Sequence, residues 1–211
     1  MSAAFIEKSS IKDLLEPLVK KYRNLALNFD FVIWNSKDAI DELEIPRVIA
    51  HGDLYSGNIV FGIDKNGDIQ NSIAAFIDWQ TIHEGSPMVD MARFLSMCAD
   101  GVVRRQAEQF CVKYYFDCLV KEYGGDIEKV PYTIEKLQKA YNYAFAIQGI
   151  FALGIVPFLL GAMEKLESSQ IIKDSYKDYG TLKAYHMYQD LDRLMSGEMK
   201  YVYERFGKGE E

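Results

Sequence analysis

His51-Gly52-Asp53-Leu54-Tyr55-Ser56-Gly57-Asn58, with the apolar run Ala74-Ala75-Phe76-Ile77 that leads into Asp78, sets how this 211-residue sequence reads. Two carboxylates and an amide stand beside strand-like segments. Hard oxygen donors of this kind suit magnesium alongside nucleotide phosphates, and phosphoryl transfer asks a protein chiefly for positioning and charge neutralisation. Asn58 and Asp78 are the donors for the metal, and Asp53 is placed to accept a hydrogen bond from an incoming hydroxyl. The D-x-x-x-x-N spacing puts one side chain at the reacting oxygen and another at the metal, so one residue more or less would misaim one of them. Gly52 and Gly57 let the loop turn closely or adopt positive φ, and the apolar run is expected to bury its strand and deliver Asp78 at a fixed point.

Outward from this loop, Arg47 to Ala50 is a short extended piece feeding His51. Asn58 to Ile63 and Ile69 to Ile77 flank an Asn66-Gly67 turn and form a hairpin. Gly85-Ser86-Pro87 opens a helix to Cys98, with Ser86 as cap and Pro87 in the first turn. A break at Asp100-Gly101 precedes a helix from about Val102 to Tyr123, with Val103, Ala107, Phe110, Tyr114 and Cys118 along one face and Gly124-Gly125 ending it. Another starts at Pro131-Tyr132-Thr133 and extends to Gly161, kinked or ended at Pro157, and a last one runs from about Tyr179. Upstream, Phe5 to Leu27 carries an amphipathic helical pattern in which Pro17 marks a start or a kink. Phe29 to Trp34 is an aromatic and β-branched run, and Ser36 caps a short helix from Lys37 to Leu43.

The uncharged stretch Ala140 to Met163 is long enough to cross a bilayer. It carries Asn142, Gln148, Gly149, Gly154 and Pro157 without a one-sided Lys/Arg flank, and so reads as the central buried helix of a helical lobe. Its aromatics, Tyr141, Tyr143, Phe145 and Phe151, are assigned to the core, and Arg104-Arg105 to a solvated helix face. A net charge of −7 argues against nucleic acid or an anionic membrane surface as partner. Cys98, Cys111 and Cys118 form neither a disulfide framework nor a zinc motif, the N-terminus reads as no secretory signal, and a cytoplasmic location is expected.

HGDLYSGN, then AFIDWQ, then HEGSPMVDMARFL, resembles the catalytic core of the choline-kinase and aminoglycoside-phosphotransferase superfamily, and within it the CHK kinase-like, or ecdysteroid-kinase-like, branch. Three motifs in order are far more specific than any one. The resemblance implies that Asp53 is the catalytic aspartate, that Asn58 and Asp78 are the magnesium ligands, and that His51 and Asp90 support the catalytic loop structurally. Tyr55, where tryptophan is commoner, and Trp79 are possible pocket-lining residues. It also implies ATP and Mg2+ as co-substrate and cofactor, and a small-molecule alcohol as acceptor.

The implied fold is α+β and mostly α-helical: a protein-kinase-like C-terminal lobe with a small catalytic-loop β-hairpin, the β-rich N-terminal lobe being absent. A single lobe over residues 1–211 is expected, with catalytic loop and hairpin at 48–80, a helical portion at 86–206 and a frayed tail at 207–211. The 50 residues before His51 read as helices and short extended pieces, with no G-x-G-x-x-G and no apolar strand delivering a lysine. Two expectations stand together: an ATP- and magnesium-dependent phosphotransferase or a truncated member of that family, and a catalytically inactive kinase-like interaction module, whose exposed surface a second chain would cover or complete.

Overall fold

A computed structural model describes residues 6–7, 9–164 and 169–208. The chain is α+β and mostly α-helical, with two two-stranded antiparallel sheets among the described residues. It divides into two compact units, one drawn from Met1–Ile33 and Ala146–Glu211, the other from Trp34–Phe145.

In the first unit, α1 (Lys12–Lys21) and α2 (Arg23–Leu27) are joined at Tyr22, and α3 (Phe29–Ile33) follows. Leu15, Tyr22, Leu25 and Phe31 are buried, whereas Leu14 is exposed, so only part of the expected stripe faces the core. Helix α1 neither starts nor breaks at Pro17. Asp13 and Pro17 both lie on the exposed side, where water can satisfy the carbonyl that the proline leaves without an amide partner. Phe29–Ile33 is helical rather than extended and passes into a π-helical turn, Trp34–Asp38, of the second unit. Asn28 Oδ1 accepts from Asp30 N and Phe31 N and so caps this helix, and of its residues only Phe31 is buried.

The helix α9 (Gln170–Ser196) begins well before Tyr179, capped by Ser169, whose hydroxyl accepts from Ile172 N, and α10 (Lys200–Phe206) ends the described fold. Thr181, Ala184, Met187, Tyr188, Leu191 and Leu194 are its buried stripe. Asp192 on α9 accepts from Tyr22 Oη at 2.7 Å and from Lys21 Nζ at 2.6 Å. The last residues of the expected frayed tail, 209–211, lie outside the described residues.

In the second unit, α4 (Ala39–Glu42) and β1 (Val48–Ala50) lead into the loop. β2 (Ile59–Ile63) and β3 (Ile69–Phe76) form the expected hairpin, whose Asp64 carboxylate accepts from Asn66 N and Asp68 N while Gly67 takes φ +88°. β4 (His83–Gly85) pairs back onto β1 with Ala50 opposite His83. Helix α5 (Val89–Cys98) starts two residues beyond Pro87, and Ser86 Oγ accepts from Met88 N in the turn before it.

The long helix expected after Asp100 is two, α6 (Gly101–Glu108) and α7 (Cys111–Glu122). Asp100 caps α6 by accepting from Val102 N and Val103 N at 2.8 Å, and Gly124 and Gly125, both at positive φ, follow the end of α7. The anticipated apolar face turns out to be the solvent side: Val103, Phe110 and Tyr114 are exposed, while Val112 and Phe116 are buried. Arg104 is buried at 1% exposure, not solvated; it pairs with Glu108 at 2.7 Å and lies 4.6 Å over the Phe145 ring. Tyr141 Oη donates to the same Glu108 carboxylate at 2.7 Å, which completes the satisfaction that a buried charge requires.

Helix α8 (Ile134–Glu164) continues past Pro157. From Ala140 to Ala146 every residue is buried, with Tyr143 edge-on to Trp34 at 5.1 Å, while Phe151 is exposed rather than core. Side chains of 155–163, within the stretch weighed above as a membrane span, lie outside the described residues. Among the described residues no helix is long and apolar enough to cross a membrane.

Candidate active site

The β1–β4 sheet brings the two halves of the site to one place. β1 ends at Ala50 and releases the chain into His51, and opposite it His83 receives the chain from the turn Trp79–Thr81. Thr81 Oγ1 donates to His51 O at 2.9 Å, closing the gap between them. Gly52 fits here because it has φ +83° and because a Cβ would stand 2.5 Å from Thr81 O. Gly57 lies outside the positive-φ region; its constraint is the Tyr55 ring, which an added Cβ would meet at 2.5 Å.

His51 is buried, at 3% exposure, and works as a brace. Its Nε2 lies 2.8 Å from Ile77 O, and its Nδ1 lies 3.3 Å from Asp53 N. A backbone N–H can only donate, so Nδ1 accepts and Nε2–H donates to the carbonyl; the neutral Nε2–H tautomer satisfies both contacts. The ring thereby ties Asp53 to the residue preceding Asp78. Trp79 packs its ring 4.6 Å from that of His51 and donates from Nε1 to Phe76 O, so Trp79 buttresses the loop as well as being exposed.

Asp90, in the first turn of α5, accepts from His51 N at 2.7 Å through one carboxylate oxygen and from Gly52 N at 2.9 Å through the other. Asn58, at 4% exposure, donates from Nδ2 to Asp53 O at 2.9 Å, and its backbone carbonyl accepts from Ile77 N at 3.0 Å. Asp53, Asn58 and the Ile77-Asp78 junction are therefore cross-linked by hydrogen bonds. Tyr55 is exposed beside the loop, and Ser56 N reaches Cys98 Sγ at 3.1 Å.

Asp78 adopts φ 62°, ψ 59°, a left-handed conformation uncommon outside glycine but tolerated by Asp. The backbone reverses there, so the carboxylate is presented at the turn and not as the continuation of β3. The expectation of a buried strand behind it does not hold. β3 is exposed along its whole length, and Phe76 and Ile77 are exposed too. Bulges interrupt the β2–β3 register between Val60 and Ile63. Asp78 is held by its hydrogen-bonded neighbours rather than by a buried strand.

One residue that the sequence reading gave no role stands out. Arg93, one turn after Asp90 on α5, donates from a terminal guanidinium nitrogen to Asp53 Oδ1 at 2.7 Å. The signal was present as D-x-x-R in Asp90-Met91-Ala92-Arg93, since i and i+3 share a helix face.

As a test of fit for magnesium, the donor set is a carboxylate, Asp78, and an amide whose nitrogen is committed to Asp53 O, leaving the Asn58 oxygen as the remaining hard donor. Two oxygen donors from the protein suit a metal that keeps waters and binds substrate phosphates. Among the described residues no cluster of three His, Cys, Asp or Glu groups forms a cage of its own.

The clamped acidic loop, the short hairpin and the left-handed Asp78 belong to a chain whose curated relatives include one named kinase-like. The chain belongs to the DUF1679 family, described as "Uncharacterized oxidoreductase dhs-27", which it matches over residues 5–198. It is 29% identical over 129 residues to "Uncharacterized oxidoreductase dhs-27" of Caenorhabditis elegans, covering 60% of this chain and 15% of that protein. It is 28% identical over 111 residues to "Uncharacterized kinase-like protein D1044.1" of the same organism, covering 53% of this chain and 27% of the relative. The matched part is thus less than a third of either relative's length. No solved structure matches the chain.

Proposed function

We propose that this chain carries the metal- and acceptor-binding half of an ATP- and magnesium-dependent phosphotransferase of the CHK kinase-like branch, acting on a hydroxyl of a small molecule. The observation that supports it best is the hydrogen-bonded unit of Asp53, Asn58 and the Ile77-Asp78 junction, gripped by Asp90. Asn58 and Asp78 would hold magnesium, which supplies charge neutralisation on the phosphates when bound. Asp53 accepts the hydroxyl proton as the new O–P bond forms and the bond to the ADP oxygen breaks, the departing ADP keeping that electron pair. His51 and Asp90 hold the loop and do not touch the reacting atoms. Tyr55 and Trp79 line the approach, and the three free cysteines suit the cytoplasm.

The oxidoreductase in the family's description and in one relative's name is not carried over. The matched part covers 15% of that relative, and the relative's activity stays with that protein.

A second reading, a non-catalytic interaction module, is favoured by the exposed apolar side chains of the hairpin, Ile63, Ile69 and Ile73 among them, a surface that a second chain could cover. The deciding experiment is γ-phosphoryl transfer from ATP to an alcohol panel, paired with calorimetric ATP titration with and without magnesium. Asp53→Ala is expected to lower turnover by about 10²-fold or more. Intact turnover in that variant would sink the mechanism, and absence of magnesium-dependent ATP binding would leave the module reading.

A further inference from the structure

Three consecutive loop residues are gripped by one helix turn. Asp90 takes the backbone N–H groups of His51 and Gly52, and Arg93 takes the side chain of Asp53. The first two contacts fix the loop's path; the third fixes the Asp53 carboxylate. Arg93 and Asp53 are 21% and 25% exposed, so their pair is partly screened from water and holds its geometry better than a surface pair does.

From this we infer that Arg93 is a positioning residue for Asp53: its guanidinium occupies Oδ1 and so orients Oδ2, the oxygen left to take a proton from an acceptor hydroxyl. The inference deepens the phosphotransferase reading and rests on it for the identity of the acceptor. Carboxylate oxygens are equivalent by rotation about the Cβ–Cγ bond. Without a donor on one of them the acid would sample orientations that do not face the hydroxyl. A lysine keeps the charge yet lacks the planar fork that fixes direction.

Two measurements on the full chain test this. In the first, which needs no turnover, a water-soluble carbodiimide with an amine nucleophile labels carboxylates and peptide mass spectrometry reads the rate at Asp53. Asp53 is expected to react several-fold faster in Arg93→Ala than in the unmodified chain, with the exposed Asp68 and Asp78 unchanged as internal controls; equal rates at Asp53 overturn the inference. In the second, Arg93→Ala is expected to lower kcat about 10-fold to 10²-fold with little change in the KM for ATP, and Arg93→Lys to recover only part. In an Asp53→Ala background, removal of Arg93 is expected to cost no further activity. A full additional loss there would assign Arg93 to general structure and overturn the positioning role. If Asp53→Ala itself retains turnover, the phosphotransferase mechanism fails, and the labelling rate still decides whether Arg93 holds Asp53.

Discussion

Asp90 shows how far a single side chain can be read. Its two oxygens serve two different backbone N–H groups, so its removal leaves two donors without acceptors beside the buried His51. A buried unsatisfied donor costs about 1–3 kcal/mol. Asp90→Ala is accordingly expected to lower the unfolding free energy by about 2 kcal/mol or more in a denaturant titration. Asp90→Asn keeps the shape but turns an NH2 group toward an N–H, so it should not restore full stability; an Asn variant as stable as the unmodified chain would mean that one of the two contacts is not made. The sequence disclosed this role because the acid stands in a motif of fixed order. Arg93 escaped notice because its partner, Asp53, lies 40 residues away, and a D-x-x-R pair says only which face of the helix is shared, not what that face meets. Arg104 was misread for a related reason. Nothing in Arg104-Arg105 distinguishes a solvated pair from one arginine buried on Glu108 and Phe145, since the compensating groups come from a turn and a helix away.

Among the elements, the hairpin and its Asn66-Gly67 turn were legible because turn chemistry is local. Its burial was not. The alternation of Ile59, Phe61 and Ile63 suggests one covered face, yet β3 is exposed throughout and β2 is exposed at Val60, Phe61 and Ile63. Periodicity tells which residues point together, not whether anything packs on them. The same limit applies to Val103, Phe110 and Tyr114, whose shared face lies in solvent, and to Phe29–Ile33, where a β-prone run is recruited into a helix. Exposure has a measurable consequence. Ile69 is 77% exposed, so Ile69→Thr is expected to shift the unfolding free energy by less than about 0.5 kcal/mol. Leu137, fully buried on α8, should cost about 2–5 kcal/mol when cut to Ala. Comparable losses for the two variants, measured under the same denaturant, would show that the hairpin is covered in solution.

At the scale of the molecule, the mostly helical α+β class was legible because capping residues and glycine stops recur along the chain, whereas the division into two compact units was not, because it depends on which distant helices meet. Both units carry buried tyrosines. In the first, burial pushes Tyr22 up to about 12, helped by the Asp192 carboxylate that its hydroxyl faces, and burial alone does the same to Tyr188. In the second, burial raises Tyr132 to about 12, and Tyr141, also facing Glu108, is raised further still. An unfolded tyrosine ionises near 10. Each of these groups is neutral in the folded state at a pH where the unfolded chain has already released its proton. Their contribution to stability is therefore fully present below about pH 10 and is lost as pH rises toward about 12. The net charge of −7 grows more negative over the same range, so self-repulsion acts in the same direction. Stability is expected to change little up to about pH 9 and then to fall steeply, with tyrosinate absorbance at the buried positions rising together with the loss of helical circular dichroism. Were all 14 tyrosines to titrate smoothly near pH 10 while the helical signal stayed intact, the burial of these side chains would be wrong in solution, and with it the cores assigned to both units.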